Sequence, residues 1–437
     1  MKGPTPPPGR ADGPGRPPPG PGRPGFWRSP LRGPWLTSVF GLVLLVGVVL
    51  LLVTGLLSYA AYNPDLPGND TTPDRGVLGF YLFAWPTDPH WLYRLTQGVH
   101  VTAGVVLVPV LLAKLWSVIP RLFAWPPLRS PAQALERLSL LLLVGGALFE
   151  FATGLLDVQL HYVFPGSFYV LHFYGAWIMA GAFVVHVAFR LRLMVRALWG
   201  DGRPPGVWRT PAVRTRAEPP DATGLVTPDP APATMSRRGA VAMVGSGSLL
   251  LLGVTAGQSI GGPLRATALL APHGREPGGG PLGFQVNKTA ADVGVRARDL
   301  GPAWRLVLRG PGREVSLNRS QVGDLPQHTA SLPIACVEGW STEDQLWSGV
   351  RLAHLAALVG ADPAGSSAFV ESAQPAGPFR TASLRDNQVR DPRSLLALRV
   401  NGADLSPDHG YPARVIVPAC PGVHNTKWVT RVTFGAP

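Results

Sequence analysis

A single run of 32 residues constrains this chain more than any other feature. Residues 33–64 contain no charged side chain and are dominated by Leu, Val and Gly. A helix needs about 20 apolar residues to cross the hydrocarbon core of a bilayer, and this run exceeds that length. A cleaved signal peptide would be shorter and would lie at the N-terminus itself. The run therefore predicts a retained membrane-spanning helix.

Four further apolar runs repeat the pattern. The second, third and fourth follow at short intervals, and the fifth comes after a long polar segment; they cover residues 95–113, 138–156, 158–189 and 239–264. We expect an all-α transmembrane bundle of four helices plus a fifth, anchoring helix.

The distribution of positive charge predicts the orientation of these helices. The chain has a formal net charge of +13, but its basic residues gather in the N-terminal tail and in the loops after the second and fourth runs. Loops rich in Lys and Arg stay in the cytoplasm. We therefore predict a multi-pass protein of the cell membrane, with lipid rather than nucleic acid as its partner. Its N-terminus is cytoplasmic, and everything after residue 265 is extracytoplasmic.

Ionisable side chains inside predicted spans are rare and usually functional. Three are histidines: His100 in the second run, and His172 and His186 in the fourth. Fourteen residues are close to four helical turns, so His172 and His186 share a face at a separation of about 21 Å. This pattern favours axial ligands of haem b over hydrogen-bonded packing residues. His100 pairs either with His172, at matching depth near the outer end, or with His186.

The segment 35–197 resembles the membrane cytochrome b subunits of the cytochrome b561 and formate dehydrogenase gamma type. Those proteins are four-helix haem bundles with two histidines fourteen residues apart on the last helix. The resemblance implies haem b and exchange of electrons with quinone or quinol. This chain lacks the histidine on the first helix, which leaves one haem or two open. Glu150 is either paired inside the bundle or involved in proton or quinol chemistry.

The segments that flank the fifth run suggest a tail, two linkers and an export signal. Residues 1–34 are Pro, Gly and Arg-rich and predict disorder, and residues 198–235 predict a flexible cytoplasmic linker. Arg237 and Arg238 precede the helical segment 236–264, which resembles a twin-arginine export signal. An Ala-x-Ala match at residues 266–268, within the linker 265–283, leaves cleavage or a retained anchor open.

From residue 284 the chain changes to short β-type runs bounded by Gly, Pro, Asn and Asp. One stretch, 346–358, has apolar residues at helical spacing and predicts a helix. We expect an α+β, mainly β domain over residues 284–437.

Cys336, in the stretch "IACVEGWS", is one of only two cysteines. Taken alone it could be a packed thiol, half of a disulfide with Cys420, a nucleophile or a metal ligand. We expect Cys420 to be a packed thiol, and Trp340 and Trp347 to serve core packing.

Residues 284–437 resemble the molybdopterin-binding domain of the sulfite oxidase family. The features that match are "FQVNKTA", "CVEGWS" with the following "LWSGV", and later "HGYPAR" and "NTKWV". The resemblance implies that Cys336 is the catalytic thiolate that ligates molybdenum beside the dithiolene of molybdopterin. It further implies that Arg414 and Lys427 hold the pterin phosphate, with Asn287 and His409 as additional pterin contacts.

Together these features predict a membrane-anchored molybdopterin oxidoreductase of the oxygen-atom-transfer type. Electrons would pass between the quinone pool, haem b and an extracytoplasmic molybdenum site. The substrate would be a small S- or N-oxide or a sulfite-like molecule, and no oligomeric state is predicted. The alternative is a non-enzymatic membrane haem or sensor protein with a degenerate exported domain.

Overall fold

The fold is taken from a computed structural model. It describes residues 17, 19–69, 83–125, 130–158, 168–204, 206–220, 223–271, 281–377 and 379–435. The first sixteen residues of the predicted tail lie outside these ranges, as does the start of the predicted fourth span.

Within the described ranges, five helices are long and apolar enough to cross a membrane, as predicted. Their bounds are α1 Pro34–Ala61, α2 Leu92–Leu122, α3 Pro131–Asp157, α4 Phe168–Trp199 and α5 Arg237–Gly253. Helices α2, α3 and α4 run beyond the predicted apolar runs, because backbone hydrogen bonding continues into polar residues at a helix end. Helix α5 is shorter than predicted and is followed by a turn and the short helix α6, Gly257–Ile260.

The chain forms two compact units. One comprises the chain up to residue 47 with residues 107–149 and 176–248, and the other comprises residues 48–106, 150–175 and 249 onwards. The division cuts α1, α2, α3 and α4 part-way along their lengths, so the second unit joins one end of these helices to the C-terminal region.

Within the first unit, the segment after α4 contacts both the beginning of α1 and the beginning of α5. Glu218 is buried; its carboxylate accepts a hydrogen bond from the backbone N–H of Trp35 and lies 3.4 Å from Nε of Arg237. Arg237 also donates to the carbonyls of Pro30 and Arg216. A buried carboxylate is stabilised by such a cation and N–H donor. The first arginine of the predicted export motif is therefore engaged in the folded protein.

The C-terminal region is built from two five-stranded sheets, in agreement with the predicted sheet-rich domain. Its strands are β1 Leu306–Arg309, β2 Glu314–Leu317, β3 Gln327–Leu332, β4 Gln345–Arg351, β5 Ala368–Ser372, β6 Thr381–Leu384, β7 Leu395–Val400, β8 Ala403–Asp404, β9 Arg414–Ile416 and β10 Val429–Phe434. Short helices α7 Arg319–Gly323, α8 Leu352–Leu358 and α9 Asp386–Arg390 connect them.

The order of the strands brings distant parts of the chain together. One sheet runs β2-β1-β10-β5-β6, and the other runs β3-β4-β7-β8 with β9 also paired to β7. The β1–β10 pair is parallel, whereas the other pairs are antiparallel. Buried aliphatic side chains of both sheets and of α8 form the main core. Strands β9 and β10 thereby place the C-terminal motifs beside the segment that carries Cys336.

The predicted helix 346–358 is half wrong. Residues Gln345–Arg351 form strand β4, and only Leu352–Leu358 are helical. Strand β4 lies between β3 and β7 and hydrogen-bonds to both. Its apolar residues fit a helical period as well as a buried strand, and pairing on both edges decides the conformation.

The connection between α1 and α2 is bonded to the C-terminal sheets. Asn69 and Ser383 form a reciprocal pair: Nδ2 of Asn69 donates to the Ser383 carbonyl (2.9 Å), and the Ser383 N–H donates to Oδ1 of Asn69 (2.7 Å). The Trp85 indole donates to the carbonyl of Ala419 at 2.7 Å. Further along, the Arg393 guanidinium pairs with Asp88 at 2.8 Å. These contacts, buried at Asn69 and Trp85 and exposed at Asp88, join the helix ends and the sheets in one compact unit.

Candidate functional site

Cys336 lies in a tight turn that follows strand β3. Its N–H donates to the Trp340 carbonyl at 2.8 Å, and its own carbonyl accepts from the N–H of Gly339 at 3.1 Å. The turn requires a φ of +89° at Gly339, a conformation that glycine adopts without strain. The thiol is 3% exposed, and burial, with the nearby Glu338 carboxylate, raises its pKa well above the ordinary value.

The segment before the first strand supplies the closest polar partner of this thiol. Nδ2 of Asn287 donates to Sγ of Cys336 at 3.3 Å, while Oδ1 of Asn287 is buried without a hydrogen-bond partner. Three residues earlier, the ring of Phe284 lies against the imidazole of His409, with ring centres 3.9 Å apart and the ring planes tilted by 35°. The structure therefore brings together Cys336, Asn287 and the His409 loop, which are far apart in sequence.

His409 and Arg414 are buried next to one another. The Ser406 hydroxyl lies 3.0 Å from Nδ1 of His409, whereas Nε2 has no partner. Arg414, at the start of β9, is 4% exposed; it donates to the His409 carbonyl and lies over the ring of Trp347. Burial lowers the pKa of Arg414 to about 9, and burial with the cations of Arg414 and Lys427 lowers that of His409 to about 3.

Lys427, two residues before strand β10, completes the group. Its ammonium donates to the Asp408 carbonyl at 2.8 Å and to the Lys288 carbonyl, and no carboxylate lies within 4 Å of it among the described residues. Burial, followed by repulsion from Arg414, lowers the pKa of Lys427 to about 7. Arg414 is buried and Lys427 is partly buried, and the Asp408 and Asp292 carboxylates offset only part of the effect on Lys427. Two neighbouring cations withdrawn from water are stabilised by an anion beside them.

These residues fit a molybdopterin. Four buried polar atoms at the site lack a partner: Oδ1 of Asn287, Nε2 of His409, Nε of Arg414 and Oγ1 of Thr426. Buried polar groups are normally satisfied, so orphaned groups indicate a ligand. An anionic pterin phosphate suits the guanidinium fork of Arg414 and the point charge of Lys427. A soft thiolate at Cys336 suits molybdenum, and metal binding deprotonates a buried thiol.

No group of three His, Cys, Asp or Glu side chains in the described ranges could hold a metal ion by itself.

Cys420 is a packed thiol, as predicted, and the two cysteines are not joined. Both are free and buried. Nε2 of Gln388 donates to Sγ of Cys420 at 3.1 Å, and burial raises the pKa of Cys420 to about 12. The disulfide alternative is therefore wrong for this fold. Trp347, fully buried with its indole bonded to the Leu332 carbonyl, has the packing role that we predicted.

Within the same compact unit, two of the three predicted haem ligands face each other. The rings of His100 on α2 and His172 on α4 have centres 6.2 Å apart and are perpendicular, at 87°. A metal held between two imidazoles by bonds of about 2 Å separates the ring centres by roughly 6 Å. The structure thus brings His100 to His172, the first of the two pairings that the sequence left open.

The Nδ1 atom of each imidazole lies within hydrogen-bond distance of groups on a neighbouring helix. Nδ1 of His100 lies 3.1 Å from the Leu51 carbonyl and 3.1 Å from the Thr54 hydroxyl. Nδ1 of His172 lies 3.0 Å from the Thr153 hydroxyl and 3.2 Å from the Glu150 carboxylate. Such partners fix the tautomer of a ligating histidine and leave Nε2 toward the metal.

Two glycines make room for these rings. A Cβ on Gly55 would lie 3.1 Å from Cε1 of His100, and one on Gly154 would lie 3.2 Å from Cε1 of His172. His186 lies in the other compact unit, and no ring contact to a second histidine is found for it among the described residues.

Sequence reasoning missed several residues of both sites. Thr54 and Thr153 orient the histidines, and Glu150 was considered without a named partner. Thr426 directly precedes Lys427 in the "NTKWV" motif, so its place in the motif could have identified it. Phe284 gives no sequence pattern that would link it to His409.

Comparisons with known proteins match the C-terminal region. Residues 293–436 match the family model described as oxidoreductase molybdopterin binding domain. The mitochondrial sulfite oxidase of Drosophila melanogaster is 29% identical over 152 residues, which are 30% of this chain and 26% of that protein. The uncharacterized oxidoreductase YuiH of Bacillus subtilis is 28% identical over 132 residues, 30% of this chain and 65% of that protein.

Among solved structures, the sulfane dehydrogenase SoxCD of Paracoccus pantotrophus is 24% identical. The matched region covers 30% of this chain and 38% of the SoxCD chain, with a TM-score of only 0.28. The chain spans about a quarter of the length of the sulfite oxidases that it matches. Residues 293–436 are therefore similar to a molybdopterin-binding oxidoreductase domain and to part of the sulfite oxidases.

Proposed function

We propose that the protein is a membrane-anchored molybdopterin oxidoreductase. It would exchange electrons between a haem b, held by His100 and His172, and a molybdenum site at Cys336. The observation that carries this proposal is that both sites lie in one compact unit, which joins one end of the first four apolar helices to the molybdopterin domain.

The side chains of the chain bind and orient the two cofactors. Arg414 and Lys427 would hold the anionic end of the pterin, and Asn287 and His409 would direct hydrogen bonds to it. Molybdenum supplies the two-electron, oxygen-atom chemistry when it is bound. His100 and His172, fixed by their Nδ1 partners, would ligate the haem iron through Nε2.

The wider setting follows from the helices and their flanking charges. We propose a multi-pass protein of the cell membrane with a cytoplasmic N-terminus, an extracytoplasmic molybdenum domain and quinone or quinol as the electron partner. The substrate would be a small S- or N-oxide or a sulfite-like molecule. The twin-arginine motif stays a prediction, and because Arg237 pairs with Glu218, export machinery would have to bind it before this fold forms.

Composition and spectrum test the proposal directly. Purified full-length protein should contain molybdenum and pterin, and its reduced-minus-oxidised optical spectrum should show a bis-histidine haem b. Cys336→Ser should abolish turnover with sulfite and with dimethyl sulfoxide as trial substrates while leaving the haem spectrum intact.

The outcomes separate the alternatives. Haem without molybdenum or pterin would indicate a membrane haem protein with a degenerate domain. Molybdenum without haem would leave the oxidoreductase but remove the electron route proposed above. Turnover that survives Cys336→Ser would overturn the ligand assignment.

A further inference from the structure

The turn that carries Cys336 lies directly against the helix that carries His100. Nε2 of Gln97 donates a hydrogen bond to the carbonyl of Val337. Gly339 lies so close to Val101 that an added Cβ would come within 2.6 Å of the Val101 Cβ. Gln97 precedes His100 on α2 and Val101 follows it, so the Cys336 turn contacts the helix on both sides of the predicted haem ligand.

Gln97 is held in place from its other side. The Ser58 hydroxyl on α1 donates to Oε1 of Gln97 at 2.6 Å. The amide of Gln97 is therefore oriented with its NH2 group toward the turn. An amide without this partner could rotate, so Ser58 fixes which end of Gln97 meets Val337.

Helix α6 also contacts the Cys336 turn and α2. The Ser259 hydroxyl donates to the Gly339 carbonyl, and the Ser341 hydroxyl donates to the Ser259 carbonyl at 3.1 Å. A Cβ on Gly98 would lie 2.7 Å from the Cβ of Ser259. Glycine at both 98 and 339 thus permits α2, α6 and the turn to meet without intervening side chains.

We propose that Gln97 is a positioning residue that couples the Cys336 turn to His100, with α2 as the electron path between the two cofactor sites. This inference rests on the function proposed above. Cys336 and Gly339 span one turn, less than about 7 Å. Gln97 and His100 lie one helical step of three residues apart, about 4.5 Å along the axis. The link from thiolate to imidazole therefore consists of the peptide unit from Cys336 to Val337, the hydrogen bond from Gln97 and less than one turn of helix from Gln97 to His100.

With haem held by His100 and His172 and molybdenum held at Cys336, one electron at a time would pass along this path and no covalent bond would form or break. The haem would lose the electron that the molybdenum gains. In turnover, quinone or quinol balances the electrons on the haem side, and the substrate balances them on the molybdenum side.

Flash photoreduction tests the path without requiring the natural substrate. In full-length, cofactor-loaded protein, a photogenerated deazaflavin radical reduces the haem, and the decay of the ferrous absorbance is followed together with the molybdenum(V) paramagnetic resonance signal. Gln97→Leu should slow this internal transfer by about tenfold or more, the usual effect of losing an outer-shell partner. The haem spectrum, the molybdenum(V) line shape and both cofactor contents should stay as in the parent protein.

Two further variants complete the design. Val101→Ala opens a gap against Gly339 without touching the hydrogen bond, and it should also slow the transfer; it replaces Gln97→Leu if that variant does not fold. Gln327→Leu is the matched control, because its side chain bonds only to nearby carbonyls of Val322 and Leu325. It should leave the rate unchanged.

An unchanged rate in both Gln97→Leu and Val101→Ala, with full cofactor contents, would overturn the path and leave the proposed function standing. A parent protein that contains no haem would refute the proposed function itself.

Discussion

Arg414 and Lys427 are the residues whose surroundings are hardest to explain without a ligand. Arg414 is buried and Lys427 is partly buried, and burial lowers the pKa of both. The Asp408 and Asp292 carboxylates offset only part of the effect on Lys427. Buried charges are normally paired, because desolvation otherwise costs several kcal/mol. A bound phosphate would pair with both. The pair is thus better explained by ligand binding than by stabilisation of the fold.

Replacing Arg414 by Met should therefore weaken cofactor binding more than folding. Truncating one partner of a buried charged pair typically costs 2 to 5 kcal/mol of binding, roughly a 30-fold or greater loss of affinity. Pterin released on denaturation, measured by fluorescence per mole of protein, should fall accordingly. Arg399→Met, at an exposed position that pairs with Asp404, is the control and should retain its pterin. Full pterin content in Arg414→Met would contradict the assignment.

The lowered pKa of Lys427 predicts how the stability of cofactor-free protein depends on pH. Its ordinary value is 10.5, and in the folded protein it falls to about 7. Between these values the unfolded chain binds more protons than the folded protein, so the free energy of unfolding rises with pH. The thermal unfolding midpoint should increase from pH 7 to 9 in cofactor-free protein. Lys427→Met should remove this contribution; an identical slope in both proteins would refute it.

At the scale of elements, the connection between α1 and α2 acts as part of the sheet domain. The reciprocal Asn69–Ser383 bonds link it to β6, and Asn63 at the end of α1 lies within hydrogen-bond distance of Gln388 in α9. Because these groups are buried, each unmade bond carries a desolvation penalty. The connection therefore fixes one end of the helices against the domain.

Asn69→Ala tests this attachment. It leaves the Ser383 N–H and carbonyl without their partner, at a cost of about 1 to 3 kcal/mol. Amide hydrogen exchange should increase in β5 and β6. Asn318→Ala removes the N-cap of α7 at an exposed site and should increase exchange only there. Unaltered exchange in β6 of Asn69→Ala would show that the connection does not hold the sheet.

At the scale of the whole molecule, the pairing of His100 with His172 predicts one haem per chain. His100→Ala and His172→Ala should each lose the bis-histidine spectrum, because each removes one of two axial ligands. His186→Ala is the matched control on α4 and should retain it. The number of haems per chain is measured as the haem concentration, from the pyridine haemochrome spectrum, divided by the protein concentration. Two haems in the parent protein, one of them lost in His186→Ala, would overturn the expectation.

The sequence by itself determined the five apolar helices and the mainly β character of the C-terminal domain, and it singled out Cys336 as the proposed molybdenum ligand. Each depends on local properties: an uninterrupted apolar run, β-branched residues between turn residues, and motifs of adjacent residues. Residues 345–351 show the limit of local information, because their apolar spacing suits a helix, and two neighbouring strands make them a strand.

Tertiary structure decided which distant residues meet. The choice of His172 as the partner of His100, the hydrogen bond from Asn287 to Cys336, and the seat of the Cys336 turn on Gln97 and Val101 all join segments tens to hundreds of residues apart. No pattern within a segment encodes such a contact, because it depends on helix packing, on strand order and on glycines that allow close approach. The sequence therefore identified the candidate side chains of the two proposed sites, and tertiary packing decided which of them contact one another.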